Sequence, residues 1–196
     1  IKTKILSKAS VSSNSDYLIF TDGDCIRRVD FISTHLAYRE HKHYLSGGYL
    51  KLNKKVSNAI SNQDIDNQLC FDKTWLVEAG QKNSFKLIKL QKSNLFKGIM
   101  NRLTTTSPTW NGHNSSGWKK DILEVNGFDE RMVYGGEDRE LGERLLNNGI
   151  RAKQIRYSAV CVHLDHERNY ERPSGWEKND NIRKITVSQK IKWTDH

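Results

Sequence analysis

The stretch YLIFTDGDCIRRVDF (residues 17–31) joins an apolar run to two aspartates separated by one glycine. The run YLIF has the composition of a buried strand, and Asp22 and Asp24 follow soon after it. Residues 1–12 read as a helix, and the order helix, polar turn, strand predicts an α/β fold with an open sheet. Ligands of such sheets bind beyond the carboxyl ends of the strands, so we expect both aspartates to face a ligand.

The composition is that of an ordinary globular protein. The chain has 196 residues, of which 36% are hydrophobic and 28% are charged, and we expect a single domain over residues 1–196. No apolar run approaches the ~20 residues that a membrane-spanning helix needs. The only cysteines are Cys25, Cys70 and Cys161, too few for a disulfide framework, which favours a cytoplasmic location.

The net charge of +9 points to an anionic partner or to a solvated basic surface. Nucleic acid, an anionic membrane surface and a phosphorylated substrate are the candidate partners. The lysines and arginines are scattered rather than grouped, which argues against nucleic acid. Arg27 and Arg28 follow the aspartates and are expected either at the surface or facing a phosphate.

The order of predicted helices, strands and motifs divides the chain into four parts. These are a first half-site (1–52), a helical insertion (53–108), a second half-site (109–166) and a polar, irregular tail (167–196). In the first helix we expect Ile1, Ile5, Leu6 and Ala9 to form an apolar face, and Asp30 is expected to cap a helix over 31–41. Strands are expected over 44–52, around Gly47-Gly48, and over 151–164. A helix is expected over 137–149, with Leu141, Leu145 and Leu146 as its apolar stripe and Gly149 at its end.

Three motifs carry candidate chemistry, and each has an ordinary structural interpretation beside it. Asp22-Gly23-Asp24 is common turn chemistry, but at the mouth of a sheet its carboxylates suit Mg²⁺ or Mn²⁺ shared with substrate phosphates. A calcium loop of the EF-hand type is excluded, because Ile26 stands where an oxygen ligand is required.

The second motif is YGGEDRE. Gly135 and Gly136 let a ligand approach the backbone closely, and Glu137 and Asp138 either cap the helix or provide an ionised carboxylate that accepts a proton. The third motif, CVHLDHERN, places His163 at the end of a strand, with His166 three residues later. Both histidines can be structural, and a zinc site with Cys161 matches no standard spacing.

In this order the motifs SDYLIFTDGDC, GHNSSGWKKDILEVNGFDE, YGGEDRELGERLLNNGI and VCVHLDHERN resemble the glycosyltransferases of the GT-A fold, in particular the inverting enzymes of family 2. The carboxyl-terminal half is similar to the catalytic module of animal β-1,4-galactosyltransferases. The resemblance implies a Rossmann-like nucleotide-sugar transferase fold. It also implies that this chain lacks the first strands of the sheet, which bind the nucleotide base.

The resemblance also implies the roles of the site residues. Asp24 and His163 would hold Mn²⁺ or Mg²⁺, and Asp22 would touch the metal or the ribose of the donor. Asp138 would be the catalytic base and Glu137 would orient the acceptor. The remaining assignments are acceptor binding for Tyr134, Gly135 and Gly136 and donor binding for Asn114. Tyr134 stands where the galactosyltransferases usually have tryptophan.

The expected function is therefore inverting, metal-dependent transfer of a hexose or N-acetylhexosamine from a nucleotide-sugar, with UDP as the expected nucleotide, to a glycan or lipid-linked glycan. By analogy with relatives that build surface polysaccharides, we expect a cytoplasmic protein that can associate peripherally with the anionic inner face of the plasma membrane. The alternative is a non-catalytic module that binds nucleotide or carbohydrate.

Overall fold

A computed structural model describes residues 2–167 and 173–195, and its fold is a mixed α/β arrangement. The strands are β1 (Tyr17–Phe20), β2 (Cys25–Arg27), β3 (His43–Ser46), β4 (Gly48–Lys51), β5 (Ser115–Trp118), β6 (Arg151–Gln154) and β7 (Val160–His163). The helices are α1 (Lys2–Ser12), α2 (Phe31–Tyr38), α3 (Lys54–Ala59), α4 (Asn62–Asp66), α5 (Lys73–Glu78), α6 (Asn94–Leu103), α7 (Lys119–Glu124), α8 (Glu137–Asn147) and α9 (Pro173–Ser188), with 3-10 helices at Leu69–Phe71 and Phe85–Leu90. The predicted α/β class is confirmed.

The strands form two small mixed sheets instead of one open sheet. The first has the order β1-β5-β3-β6, in which β5 runs antiparallel to β1 and β3, and β6 is parallel to β3. The second has the order β2-β7-β4, in which β7 is antiparallel to β2 and parallel to β4. The Asp22–Asp24 turn connects β1 of the first sheet to β2 of the second.

Two stretches that the sequence predicts as single strands each divide between the sheets. The chain changes sheet at Gly47, between β3 and β4, and again at residues 155–159, between β6 and β7. Close packing at the first crossing explains the glycine pair. A Cβ on Gly47 would lie 1.9 Å from Asn114 Oδ1, and one on Gly48 would lie 2.0 Å from the carbonyl oxygen of Arg156.

A buried hydrogen-bond network closes the seam between the sheets. Asn114 is fully buried and donates from Nδ2 to the carbonyl oxygens of Gly48 (2.7 Å) and Ala159 (3.1 Å). Its Oδ1 lies 2.9 Å from His35 Nε2, and His35 Nδ1 lies 2.7 Å from Ser116 Oγ. Since Oδ1 can only accept, Nε2 carries the proton, and burial lowers the pKa of His35 to about 4, so the imidazole is neutral at physiological pH. The seam is therefore fully satisfied without a charged group.

The two largest of four apolar clusters in the described residues hold most of the helices on the sheets. One lies between β4, β7 and the helices of residues 54–90, and the other between the first sheet and α7 and α8. Leu141 and Leu145 are buried in the second core and Gly149 follows the helix with a φ of 82°, as predicted. Leu146 is 47% exposed, so the expected stripe is narrower than the sequence indicated.

Three local predictions near the amino-terminal end are corrected by the structure. Ile5 is 59% exposed, although Leu6 packs on the core as expected; Ile1 lies outside the described residues. Asp30 occupies the position before α2 but makes no capping hydrogen bond from its side chain. Its carboxylate instead accepts from Arg28 Nε (2.6 Å) and Nη2 (2.8 Å). Arg28 is therefore held in an ion pair, whereas Arg27 is exposed at the surface, as one of the two expectations had it.

The prediction of an irregular tail is also wrong for residues 173–188, which form α9. Residues 168–172 and 196 of the predicted tail lie outside the described part of the chain. The helix packs on α8 through polar side chains instead of an apolar stripe. Asn179 is fully buried and donates to the carbonyl oxygens of Val133 (2.9 Å) and Gly135 (2.7 Å), and Arg183 pairs with Glu143. Hydrophobic periodicity does not report contacts of this kind.

None of the helices in the described residues has both the length and the apolar character to cross a membrane. The three cysteines are buried free thiols.

Candidate active site

The candidate site is a polar pocket between the loop after β1 and the first turn of α8. The cavity has a volume of about 370 Å³. Its walls contain most of the residues that the sequence singled out: Asp22, Tyr134, Gly135, Gly136, Glu137, Asp138 and His163. A neighbouring cavity of about 700 Å³ shares Asp22, Tyr134 and His163 and adds Asp24 and His166. The structure therefore brings the two half-sites together.

Lys2 joins the acidic groups of the two half-sites. Its Nζ lies 3.5 Å from Asp22 Oδ1 and 3.1 Å from Glu137 Oε1. Burial disfavours the charged amine, but the nearby carboxylates outweigh burial and raise the pKa of Lys2. A cation at this point reduces the repulsion between these two carboxylates, which lie far apart in the sequence.

Asp138 is held in the first turn of α8 by backbone donors. Its Oδ2 accepts from the amide of Gly112 at 2.7 Å, and its Oδ1 accepts from the amide of Arg139 at 2.9 Å. Asp138 Oδ2 and Asp22 Oδ1 each lie 3.5 Å from the place that a Cβ would take on Gly112. The helix N-terminus favours negative charge here, and each carboxylate oxygen keeps a lone pair for a further hydrogen bond.

Glu137 shapes the loop in front of Asp138. The residue is 3% exposed, and its Oε2 accepts from the amide of Gly135 at 2.8 Å. Gly135 and Gly136 have φ angles of 111° and 86°, a region that other residues rarely adopt. The double glycine therefore allows the backbone to turn sharply at the pocket wall.

The metal-ligating side chains collect around Asp24. Ligand atoms of Asp24, Cys25 and His163 lie within 4.8 Å of one another. His163 Nδ1 donates to the carbonyl oxygen of Leu164 (2.8 Å), and Nε2, the other ring nitrogen, lies 3.5 Å from Asp24 Oδ2. His166 Nε2 lies 2.7 Å from the same oxygen.

This donor set fits a hard or borderline divalent cation. Carboxylate oxygen suits Mn²⁺ and Mg²⁺, and imidazole nitrogen suits the borderline first-row metals. Hydrogen bonding to Cys161, burial and the charge of Asp24 raise the pKa of the Cys25 thiol. Asp22 lies outside the group and faces Lys2. Cys161 is also outside it, since its thiol faces the carbonyl oxygens of Gly48 and His113, which corrects the zinc alternative.

One predicted site residue, Asn114, reaches neither cavity. Asn114 is fully buried in the seam between the sheets and its amide is satisfied there by His35, Gly48 and Ala159. The expected donor contact of Asn114 is therefore corrected to a structural role. Its neighbour His113 lines the pocket instead, and burial lowers the pKa of His113 to about 4, so its imidazole is neutral at physiological pH.

Lys2, His113, His166 and Trp176 line the two cavities but were not predicted as members of the site. His166 had a usable signal, because it lies three residues from His163. Trp176 had a weaker one, since Trp176, Asn179 and Arg183 follow a helical spacing that only the polar character of the tail obscured. Lys2 and His113 become visible only after folding.

Part of the chain matches a known protein family, and most of it is similar to a known protein. Residues 99–167 match the family described as the N-terminal domain of galactosyltransferase. The chain is also 26% identical over 207 residues to the uncharacterized glycosyltransferase YfnE of Bacillus subtilis (strain 168), an alignment that covers 90% of this chain and 50% of that protein. The chain thus spans about half the length of this curated relative. The resemblance to glycosyltransferases, a class of transferase, is confirmed.

Proposed function

We propose that the protein is an inverting, metal-dependent glycosyltransferase of the GT-A fold and of family 2. It transfers a hexose or N-acetylhexosamine from a nucleotide-sugar, with UDP as the expected nucleotide, to a glycan acceptor. The observation that carries the proposal is that Asp22, Asp138 and His163, which are far apart in sequence, line one pocket. A pocket with convergent acidic and imidazole groups is the expected setting for such a reaction.

Asp24 and His163 would hold the divalent cation, with His166 as the nearest additional donor. A bound Mn²⁺ or Mg²⁺ would supply charge neutralisation for the departing diphosphate. Asp22 lines both cavities, where it would meet the ribose or the diphosphate of the donor.

Asp138 would act as the general base. As the acceptor hydroxyl oxygen attacks the anomeric carbon, its proton passes to a carboxylate oxygen of Asp138. The new carbon–oxygen bond forms while the bond to the diphosphate breaks, and the electron pair leaves with the nucleoside diphosphate. A single displacement from the opposite face inverts the anomeric centre. Glu137 keeps the Gly135-Gly136 loop in place for the acceptor.

The acceptor is proposed to be a surface glycan in assembly, free or lipid-linked, at the cytoplasmic side of the membrane. The charge of +9 supports attraction to anionic lipid. Helix α6 adds an exposed apolar row of Leu95 (77%), Ile99 (46%) and Leu103 (69%). Co-sedimentation with vesicles that contain or lack an anionic lipid tests this placement, and equal partitioning into both would overturn it.

A donor screen on the full-length protein tests the central proposal. Nucleotide-sugars are incubated with Mn²⁺ and an acceptor panel, and the released nucleoside diphosphate is measured for wild type, Asp138→Asn and Asp66→Asn. Asp66 is an exposed carboxylate at the end of α4 and serves as a matched control. We expect wild type and Asp66→Asn to release nucleoside diphosphate at similar rates and Asp138→Asn to release it far more slowly. Metal-dependent nucleotide binding without release would instead favour the non-catalytic binding module.

A further inference from the structure

Helix α9 supplies an aromatic wall of the pocket that the reaction proposed above does not use. Trp176 lies in the first turns of α9 and lines the same pocket as Asp138. The residue is 45% exposed, so part of the indole is accessible to a ligand in the pocket.

The indole is held in a defined position relative to the loop. Its ring packs over Gly135, where a Cβ would lie 2.7 Å from Trp176 Cδ2. Trp176 and Tyr134 make an edge contact, with ring centroids 6.0 Å apart and planes at 88°. The two rings therefore form an aromatic corner, which we define as Trp176 and Tyr134, at the mouth of the pocket.

The helix below the aromatic corner is anchored by buried polar contacts. Asn179 is fully buried and binds the backbone of both Val133 and Gly135. Arg183 covers Gly136, pairs with Glu143 and also lines the pocket. These contacts fix α9 to the loop that leads into Asp138, so the indole is a preformed surface and not a loose side chain.

The aromatic corner lies on the Asp138 side of the site. The pocket that contains Trp176 and Asp138 does not include Asp24, and the cavity that contains Asp24 and His166 does not include Trp176. Trp176 therefore lies apart from Asp24, whereas Tyr134 and His163 line both cavities. A ligand over the indole would lie next to the base and away from the diphosphate.

A pyranose ring has the chemistry that this surface recognises. One face of the ring presents C–H groups that pack on an aromatic plane, while its hydroxyl groups bind carboxylates and backbone amides. We propose that Trp176 is a specificity-determining residue of an acceptor subsite, in which the indole packs against the C–H face of the acceptor sugar and turns a hydroxyl towards Asp138. This inference rests on the proposed function.

The kinetic test compares Trp176→Ala, Trp176→Phe and Trp193→Ala. Trp193 is 51% exposed, follows α9 and does not line the pocket, so it is the matched control. In the full-length protein, we expect Trp176→Ala to raise KM for the acceptor about tenfold, with KM for the donor unchanged. Trp176→Phe should restore most of the acceptor affinity, and Trp193→Ala should match wild type. An acceptor KM that is unchanged in Trp176→Ala overturns the subsite.

A binding test separates this inference from the proposed reaction. Methyl β-glycosides of galactose, glucose and N-acetylglucosamine are titrated into wild type and Trp176→Phe with Mn²⁺ and UDP present, and tryptophan fluorescence is recorded. A saturable change in wild type that is lost in Trp176→Phe supports the subsite even where no sugar is transferred. Sugar transfer by wild type without any such fluorescence change would support the transferase function and overturn the acceptor subsite.

Discussion

His35 makes the stability of this protein depend on pH, because its imidazole is fully buried in the seam between the sheets. Burial lowers the pKa of His35 from its ordinary 6.5 to about 4. Between these two values the unfolded chain binds a proton that the folded protein does not. The free energy of unfolding therefore falls as the pH is lowered through this window, and His35 has no further effect below about pH 4.

The size of the effect follows from the two pKa values. A difference of this size corresponds to about 3 kcal/mol, at roughly 1.4 kcal/mol for each unit of pKa. Urea unfolding of wild type and His35→Gln at several pH values between 7 and 4 measures it. The variant loses hydrogen bonds and should be less stable at pH 7. Its stability should nevertheless fall by about 3 kcal/mol less than that of wild type over this range.

The comparison of slopes isolates His35 from the other titrating groups. His113 has a pKa lowered in the same direction, but it is present in both proteins and cancels in the difference. Parallel stability curves for wild type and His35→Gln would refute the reasoning, since they would mean that His35 gains a proton equally well in the folded protein.

Three further predictions concern packing, the helix that carries Asp138, and the metal group. Gly142→Ala should lower the free energy of unfolding by about 1–3 kcal/mol, because the new Cβ would lie 2.7 Å from a Trp110 atom. In Gly98→Ala in α6 the new Cβ meets no atom within 4 Å, so this variant should raise the free energy of unfolding by up to about 1 kcal/mol. Urea unfolding measures both. Glu140→Gln should cost about 3–5 kcal/mol in the same measurement, since it leaves the fully buried guanidinium of Arg144 without its carboxylate, and a cost below about 1 kcal/mol would contradict this. Asp24→Asn should weaken Mn²⁺ binding about tenfold or more in an electron paramagnetic resonance titration of free Mn²⁺, and an unchanged affinity would rule out the carboxylate as a ligand.

The parts of the fold that the sequence predicts have local signals. An apolar run marks the strand at residues 17–20. The helix that begins at Glu137 is marked by acidic residues in its first turn and by Gly149 after its end. The convergence of Asp22 with Asp138 was an expectation from the resemblance, and the structure places both on the same pocket.

The parts that the sequence does not predict depend on contacts between distant residues. The division of residues 44–52 between two sheets follows from the fit of Gly47 against Asn114, and nothing near Gly47 in the sequence shows that partner. Helix α9 is stabilised by Asn179 and Arg183, whose partners lie 40 or more positions earlier. An asparagine that is buried for its hydrogen bonds has the same sequence signature as one in a loop.

The most direct test of the account is the release of nucleoside diphosphate by the full-length protein and its Asp138→Asn variant, with Mn²⁺, a nucleotide-sugar and an acceptor. The account predicts a rate that falls by about 10²- to 10⁴-fold in the variant, while Mn²⁺ binding and the urea unfolding curve stay close to those of wild type. A variant that turns over at a near-normal rate would contradict the assignment of Asp138 as the base and with it the proposed mechanism.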